Sequence, residues 1–222
     1  MNTKKLHLIL NIGCIISLIM IILRIIFADT PELFKGGAII LDDILYDVSI
    51  AFIGSSFFYY LLVYIPANRD RKRIAIYTKY LSGLISFRGT NLIDALRQNV
   101  KINEKDEYTS QDFDLICSTI NPNNQAPIII NTVNMTNGTW WDYFSNTYFE
   151  LNKYLEKIMP YMYFMDSEHI ELINNILKSG FYSTFSSMPN AKYNNKDITF
   201  LRKDLQELYS LSKKLKKYID NN

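Results

Sequence analysis

Glu168, His169 and Glu171 form the cluster of residue types best suited to catalysis in this sequence. A histidine beside two carboxylates can transfer protons as a general acid or base. The segment that carries them, SEHIELINNILK, is predicted to be a helix that begins after the N-cap residue Asp166, which places His169 in its first turn. We interpret the three residues as exposed first-turn residues and predict no catalytic role for them.

Cysteine and histidine are too few and too scattered to predict a metal centre or a catalytic thiol. The cysteines are Cys14 and Cys117, and the histidines are His7 and His169. Zinc sites draw several such ligands together, and neither H-x-x-x-H nor C-x-x-C occurs. No motif accompanies a Cys117–His169 pair, and no glycine-rich phosphate loop is present. The sequence therefore predicts no catalytic, cofactor-binding or metal-binding residues and no cofactor. An enzyme with an unfamiliar helical site is the minor alternative.

Two apolar segments, at residues 6–28 and 44–65, are long enough to cross a lipid bilayer as helices. A hydrocarbon core about 30 Å thick needs about 20 apolar residues. The first segment could instead be a secretory signal peptide, but it is longer than a typical apolar region of one, and no A-x-A-like cleavage site follows. We predict a mainly α protein: a two-helix transmembrane hairpin over residues 1–66 with a short extracytoplasmic loop, then a cytoplasmic helical bundle over residues 67–222.

The positions of lysine and arginine predict the orientation of this hairpin, because these residues concentrate in cytoplasmic flanks. Lys4 and Lys5 precede the first span, and the connecting loop holds a lone Lys35. A basic cluster follows the second span and comprises Arg69, Arg71, Lys72 and Arg73. Both termini are therefore predicted to lie in the cytoplasm of a bacterium, with the basic cluster next to the inner membrane.

The charge of the chain is small overall but uneven along it. The formal net charge of +2 argues against a dedicated nucleic-acid binder. Residues 67–101 hold eight Lys/Arg and two Asp/Glu, residues 102–190 hold four and eleven, and residues 191–222 hold eight and four. We expect the basic first and last helices of the domain to lie closest to the anionic leaflet. The alternative for the C-terminal lysines is a solvated helix end, where cations suit the helix dipole.

Arg24 and Asp47 are charged residues inside the apolar segments. Each lies about three residues from the outer end of its span, so an antiparallel hairpin would bring them to the same depth. Intramembrane charges are functional candidates by default. We favour a structural ion pair, or snorkelling of the charges to the outer interface.

Small residues predict where the two spans contact each other, because they let helix backbones approach closely in lipid. Gly13 and Ser17 share one stripe of the first span with Arg24. The second span carries a stripe of small residues beside Asp47, which comprises Ala51, Gly54 and Ser55. These stripes could meet within one hairpin or between copies of the chain.

In the first half of the domain, glycine and proline residues predict where the helices begin and end. A helix follows Pro66, is punctuated at Gly83 and Gly89, and resumes beyond. Residues 112–120 predict a short helix. Residues 127–133 contain the run IIINTV, which could form a strand, although we favour irregular chain or the start of a helix.

The second half of the domain shows stronger helical periodicity. Apolar residues recur at three- and four-residue spacings from Trp141 to Met165, and Pro160 is predicted to kink or divide that helix. Gly180 is predicted to end the next helix, and residues 181–195 are predicted to be a loop. The last helix, residues 198–219, is interpreted as a bundle helix, with a coiled coil between copies as the alternative.

One stretch of the sequence resembles a known pattern. Residues 32–73 combine a loop leading into I-L-Y-D, a serine-rich middle, the run F-x-Y-x-x-V-Y-x-P and a basic cluster. This combination resembles uncharacterised two-span bacterial membrane proteins with a cytoplasmic helical domain. The resemblance implies the same architecture and no known activity.

These observations favour a membrane-anchored, non-enzymatic interaction or sensor protein of the bacterial inner membrane. Its expected partners are the lipid bilayer, a cytosolic protein or further copies of itself as a homo-oligomer, and no nucleic acid. The alternative is an oligomeric membrane-perturbing effector, of the bacterial defence or toxin type, triggered through its cytoplasmic domain.

Overall fold

The protein is mainly α-helical and divides into two compact units. The computed structural model describes residues 3–27, 37–131, 136–187, 192 and 194–221. The first unit is Met1–Lys72 and the second is Arg73–Asn222. The division falls six residues after the boundary predicted at Pro66, because a helix runs through that proline.

The first unit consists of two long helices that run antiparallel. Helix α1 is Thr3–Phe27 and α2 is Gly37–Tyr59. Contacts lead from Arg24 and Asp43 at one end to His7 and Tyr64 at the other. Two helical stretches are long and apolar enough to cross a membrane: Leu6–Ile26 in α1, and the run Asp43–Val100 that starts within α2, with mean hydropathies of 2.6 and 1.8 over the best windows. These windows are only 6% and 11% buried, so their apolar side chains face outwards, unlike those of a core helix in a soluble protein.

A π-helix, Tyr60–Tyr64, follows α2 directly. The N–H of Ile65 donates to the carbonyl of Tyr60, five residues back. Pro66 has no N–H and its ring crowds the preceding turn of an α-helix. Widening that turn to a π-helix accommodates the proline without ending the helical run.

Helix α3, Ile65–Val100, continues from the π-helix and supplies the second unit with its longest element. The predicted breaks at Gly83 and Gly89 were wrong, because the helix is unbroken at both. Gly89 is buried where α3 crosses a later helix, and a Cβ there would lie 1.9 Å from Ser212 Oγ. The glycine permits this close approach and does not terminate the helix.

A short helix and a strand pair follow α3. Helix α4, Ser110–Thr119, confirms the short helix predicted there, and Thr109 and Asp112 form a capping box at its start. Strands β1, Gln125–Asn131, and β2, Thr136–Thr139, pair antiparallel, with Gln125 opposite Thr139. The expectation of irregular chain for the β1 segment was therefore wrong. A partner strand, hidden in the polar sequence TNGT, satisfies its backbone groups.

The next two helices begin at capping residues, and the predictions for Pro160 and for the N-cap Asp166 are confirmed. Helix α5, Trp140–Ile158, starts at a capping box of Thr139 and Asp142. The 3-10 segment Met159–Phe164 contains Pro160 and ends the helix. Helix α6, Ser167–Leu177, is capped by the side chain of Asp166, which accepts the N–H of His169.

The last two helices complete the second unit. Helix α7 is Gly180–Ser187, so Gly180 begins a helix that was predicted to be loop. A 3-10 turn, Thr199–Leu201, leads into α8, Arg202–Asn221. Helix α8 packs against α4, α6 and α7 of its own unit, which is the bundle arrangement expected for it.

The core of the second unit is continuous and aromatic. Its largest fully buried side chains include Trp140, Phe113, Phe144 and Phe181. The leucines that face inwards from α8 are Leu205, Leu208 and Leu215. The Oγ of Ser86 on α3 donates to the Ser212 carbonyl on α8 at 2.7 Å, so the first and last helices of the unit are joined inside the core.

Candidate functional site

The strongest polar constellation of the second unit joins α3, α6 and α8. The Oγ of Ser82 on α3 lies 2.7 Å from the Nε2 of His169 on α6, and both residues are buried. The ring of Tyr218, near the end of α8, lies 4.8 Å from the His169 ring between centroids. The Tyr218 hydroxyl donates to Asp166, the N-cap of α6.

His169 is buried, which corrects its interpretation as an exposed first-turn residue. Only 6% of its surface is accessible, whereas Glu168 and Glu171 beside it are exposed. The spacing of His169 with Ile173 and Ile176 places all three on the inward face of α6. That spacing was visible in the sequence and is the signal that predicts the burial. The sequence gives no comparable signal for Ser82.

The electrostatics of the constellation hold each group in one protonation state. Burial lowers the pKa of His169, although the negative charge of Asp166 opposes the shift. Burial alone would raise the pKa of Asp166, but hydrogen bonds from Tyr218 and the His169 N–H outweigh it, and the net shift is downward. Burial and the hydrogen bond to Asp166 raise the pKa of Tyr218. At neutral pH the arrangement is a neutral imidazole, a carboxylate and a protonated phenol.

A serine hydroxyl in contact with a histidine is the arrangement of a nucleophile and its general base. Here the serine has no exposed surface, since Ser82 is 0% accessible. The carboxylate oxygens of Asp166 accept hydrogen bonds from the His169 backbone N–H and from Tyr218. A nucleophile must reach its substrate, and the buried Ser82 hydroxyl cannot. The hydrogen bonds of this constellation therefore link three helices and present no attacking group.

A cavity of about 380 Å³ opens beside His169. It lies between the first turns of α3 in the second unit, the 3-10 segment and the end of α8. Its walls combine apolar and polar side chains in about equal number, so a ligand there would meet both apolar surface and hydrogen-bonding groups. The lining residues include Ile76, Lys79, Phe164, Asp166, His169 and Tyr218.

Cys117 is fully buried in the core, and burial raises the pKa of its thiol to about 12. A thiol in this state is protonated at neutral pH and is a poor nucleophile. The described contacts of the His169 ring are with Ser82 and Tyr218, so the structure gives no support to a Cys117–His169 pair. Among the described residues, no group of three or more His, Cys, Asp or Glu could hold a metal ion.

The charged groups inside the first unit pair differently from the prediction. The Nη2 of Arg24 lies 2.6 Å from the Oδ1 of Asp43, and its guanidinium lies 4.1 Å from the centre of the Tyr46 ring. Among the described contacts, Arg24 therefore pairs with Asp43 and not with Asp47, which lies one helical turn further on. Asp47 is exposed. The prediction compared only the depth of each residue in its span. Depth alone does not give the register in which the two helices pack, and the register differs by one turn.

Some of the residues predicted to pack the two spans together lie at the contact between α1 and α2, and others do not. Ser17 is buried, and Gly13 approaches Phe52 so closely that a Cβ would lie 2.4 Å from Cζ. On α2, Ala51 and Ser55 are exposed, and no described atom lies within 4 Å of a Cβ added at Gly54. The face of α2 that meets α1 carries instead Ser49, Phe52 and Ser56. Within this hairpin, the small-residue stripe of α2 is rotated from the face that meets α1, where Phe52 fills the space that Gly13 leaves. A contact of that stripe between copies of the chain stays a prediction.

An aromatic cluster at the other end of the first unit was not predicted as a site. The ring of His7 contacts Tyr64 at 4.3 Å between centroids and lies about 6 Å from Tyr59 and Tyr60. The hydroxyl of Tyr60 donates to the Asn11 side chain at 2.6 Å. Two of these tyrosines, Tyr60 and Tyr64, belong to the π-helix, a feature that often accompanies functional sites. The cluster of tyrosines was visible in the sequence, but its contact with His7 was not.

The predicted membrane-proximal basic residues all lie on α3. Arg69, Arg71 and Lys72 are exposed residues of the first unit, and Arg73 is the exposed first residue of the second. The structure contains no bilayer, so their placement at a membrane surface stays a prediction.

Comparison with known proteins finds no family model, no curated protein and no solved structure that matches this chain. The resemblance to two-span bacterial membrane proteins therefore stays an expectation from the sequence.

Proposed function

We propose that this chain is a membrane-anchored interaction or sensor protein without enzymatic activity. Residues 6–28 and 44–65 span the inner membrane of a bacterium, and both termini lie in the cytoplasm. The second unit presents its surface to a cytosolic protein, to the bilayer or to further copies of the chain. No cofactor or nucleic acid takes part.

The observation that carries this proposal is the contrast between two kinds of apolar side chain. The first unit exposes its apolar residues, such as Leu8 at 60% and Ile25 at 71%. Water would make such a surface costly, whereas hydrocarbon would not. The second unit has a continuous buried core of its own. An anchor joined to an independently packed helical unit suits recognition at a membrane.

The site geometry supports a binding role more than a catalytic one. Ser82 and His169 are hydrogen-bonded inside the core, and the adjacent cavity of about 380 Å³ is lined by both apolar and polar side chains. A partner or small ligand that entered this cavity would contact α3, α6 and α8 together. Such a ligand would favour one packing of these helices over another, which is how a sensor responds.

The anchor is tested by a topology experiment. A reporter that is active only outside the cytoplasm should be inactive when fused at Asn222 and active when inserted at Gly36–Gly37. The orientation follows from the basic residues at Arg69 to Arg73. Reporter activity at Asn222 would overturn the proposed orientation. Release of the chain from membranes by alkaline carbonate would overturn the anchor itself.

The second candidate function is an oligomeric effector that perturbs the membrane. Its specific support is polar atoms between the apolar helices: the Oγ of Ser56 and the Nδ1 of His7 are buried without a hydrogen-bond partner among the described residues. Unpartnered polar atoms are costly in hydrocarbon. Assembly of several copies with a different packing of α1 and α2 would expose these atoms to polar groups of a neighbouring copy.

A membrane-potential dye separates the two candidates. Cells that express the full chain should keep their potential if it is an anchored interaction protein. Depolarisation that Ser56→Ala and His7→Phe abolish would favour the effector, because these changes remove the polar atoms and keep the helices apolar.

A further inference from the structure

One face of the second unit exposes aromatic and apolar side chains from two neighbouring elements. We call this face the aromatic patch; it consists of Ile76, Tyr77, Tyr80, Tyr163 and Phe164. Their exposed fractions are 72%, 39%, 62%, 89% and 48% in that order. Single exposed apolar residues are normal on proteins, but a connected group of them marks a surface that contacts something.

Contacts between α3 and the 3-10 segment place the two parts of the patch next to each other. The ring of Tyr77 packs edge-on against Tyr161, with centroids 5.4 Å apart. Tyr163 and Phe164 are in edge contact at 5.5 Å. Ile76 and Phe164 line the same cavity, so the helix and the 3-10 segment present their apolar groups side by side.

Basic residues accompany the aromatic patch. Lys79 lines the cavity with Ile76 and Phe164. Arg73 lies on α3 one turn before Ile76 and Tyr77, and it is exposed. The cavity also contains the carboxylate of Asp166, whose oxygens accept hydrogen bonds from Tyr218 and from the His169 N–H, so these oxygens are already engaged within the unit.

We propose that the aromatic patch docks the second unit on the surface of an anionic lipid bilayer. The tyrosine and phenylalanine rings sit at the level of the lipid headgroups, and Lys79 and Arg73 contact lipid phosphates. This proposal rests on the proposed function, since the membrane that anchors the first unit is the one that the patch contacts. It adds a second, reversible contact between the chain and the membrane.

The composition of the patch fits a bilayer. Aromatic rings with one polar end favour the membrane interface, and lysine and arginine favour anionic lipid. Interfacial segments bury such apolar groups about 5–10 Å deep, at the boundary between headgroups and acyl chains. A protein partner of the same shape would need carboxylates at the places where lipid phosphates already supply negative charge.

The chain also keeps the patch near the membrane. Ile76 follows Ile65, the predicted end of the second span, by eleven residues. Even a fully extended chain of that length reaches only about 40 Å. The tether therefore gives the patch a high effective concentration at the bilayer, and a weak surface affinity suffices for docking.

Quenching of an introduced tryptophan by brominated lipid tests the docking. The full chain is reconstituted in vesicles of phosphatidylglycerol and brominated phosphatidylcholine, as Tyr163→Trp and as the control Phe149→Trp. Phe149 lies on α5 outside the patch and is 49% exposed, and the native Trp140 and Trp141 are at most 2% exposed. We expect the Tyr163→Trp emission to be quenched and the Phe149→Trp emission to be unaffected.

The results that would overturn the docking also show whether the anchor survives. Vesicles that retain the chain in alkaline carbonate but quench Tyr163→Trp no more than Phe149→Trp would overturn the docking and leave the anchor intact. The docking is likewise overturned if copies of the chain cross-link to each other at position 163 and brominated lipid does not quench the tryptophan emission there. Release of the chain by carbonate would overturn the anchor and the docking together.

The charge requirement is tested with Lys79→Ala and the control Lys178→Ala, both in the Tyr163→Trp chain. Lys178 is exposed on the C-terminal side of α6 and outside the patch. Loss of Lys79 should lower the ratio of docked to undocked chain about fivefold, and loss of Lys178 should not change it. Equal quenching in all three chains, or in vesicles without phosphatidylglycerol, would overturn the anionic lipid as the partner.

Discussion

The two units treat the same kind of residue in opposite ways. In the first unit, isoleucines such as Ile15 and Ile25 are 57% and 71% exposed. In the second, Ile85 and Ile93 on α3 are fully buried. The first unit pairs two helices whose outward faces are apolar, whereas the second wraps its apolar faces around one core. An isoleucine in this chain is therefore not buried simply because it is apolar. Whether it is buried or exposed depends on the unit that contains it.

The polar groups are placed differently in the two units. In the first unit the contact between helices contains Ser17, Ser49 and Ser56. The second unit buries its polar side chains inside a large apolar core, and most of those described have a hydrogen-bond partner, as in the pair of Ser82 and His169. Helices in lipid gain little from apolar contact with each other and use small and polar residues instead. The first unit thus has the features of a structure built for hydrocarbon, and the following predictions test its contrast with the second.

Separation of the units should have the largest effect. A chain limited to residues 68–222 keeps every core residue of the second unit and loses the exposed apolar surface of the first. At roughly 150 residues it is within the size range that folds alone. We expect it to be soluble, mostly helical by circular dichroism and cooperative in melting. A broad melt with little helix would show that the second unit depends on the first, and the contrast between the units would not hold.

Truncation of a core aromatic residue should cost the second unit much of its stability. Phe144 is fully buried and contacts the rings of Trp140, Trp141 and Phe185. Phe144→Ala should lower the free energy of unfolding by about 3–5 kcal/mol. The control Phe149→Ala, at a residue 49% exposed on the same helix, should cost far less. Urea unfolding of the full chain in detergent, followed by tryptophan emission, measures both, because Trp140 and Trp141 lie in this unit.

A charge at the middle of α1 should impair membrane insertion. Leu18 is 50% exposed on α1. Leu18→Arg should raise the apparent free energy of insertion by about 3 kcal/mol if this face meets lipid. Ile26→Arg, near the end of the span, should cost much less because the side chain reaches the interface. Equal insertion of both variants in a translocation assay would contradict a bilayer-spanning α1.

Two glycines on α3 should respond to alanine in opposite directions. A Cβ at Gly89 would lie 1.9 Å from Ser212 Oγ and 3.0 Å from its Cβ, whereas no described atom lies within 4 Å of one at Gly83. Gly89→Ala should destabilise the second unit by about 1–3 kcal/mol through overpacking. Gly83→Ala should stabilise it by about 0.5–1 kcal/mol, because alanine favours helix. Thermal melting that ranks the two variants in the other order would contradict the close crossing of α3 and α8.

Protonation of His169 should give the smallest effect, a loss of stability in mild acid. Burial lowers the pKa of this residue below its ordinary 6.5. The unfolded chain then binds the proton more readily, so the stabilisation is fully present above about pH 6.5 and is lost as the pH falls below it. His169→Gln keeps a polar partner for Ser82 and does not titrate. Melting temperatures compared at about pH 8 and about pH 5 should fall more in the native chain than in this variant.

The sequence predicted elements well where local chemistry determines them. Pro160 and the cap residue Asp166 define helix ends through their own backbone and side-chain bonding. Gly83 and Gly89 were misinterpreted as breaks, because tertiary packing decides whether a glycine ends a helix or permits a close contact. Helix α6 does end before Gly180, at Leu177, but Gly180 also begins α7, which was predicted to be loop. Strand β2 was missed because TNGT has no strand character, and pairing with β1 is what makes it a strand.

The candidate site was less predictable than the fold. The burial of His169 follows from its spacing with Ile173 and Ile176, so that part could be predicted. Its partners could not, since Ser82 is 87 residues away in sequence and Tyr218 lies on the last helix. In the first unit, the identity of Asp43 as the partner of Arg24 depends on where α2 begins relative to α1. Contacts of this kind depend on the path of the chain and not on local residue type.

The bond from Ser86 to Ser212 joins residues 126 positions apart, and this separation has a consequence during synthesis. A ribosome delivers α3 before the other helices of the unit and α8 after them, so the part of α3 around Ser86 lacks its α8 partner until the whole unit is translated. Apolar surface exposed for that long favours aggregation or capture by chaperones. An earlier membrane insertion of the first unit would hold each nascent chain apart from its neighbours. If the first unit inserts as proposed, the order of the segments along the chain would protect the second unit while it waits for its last helix.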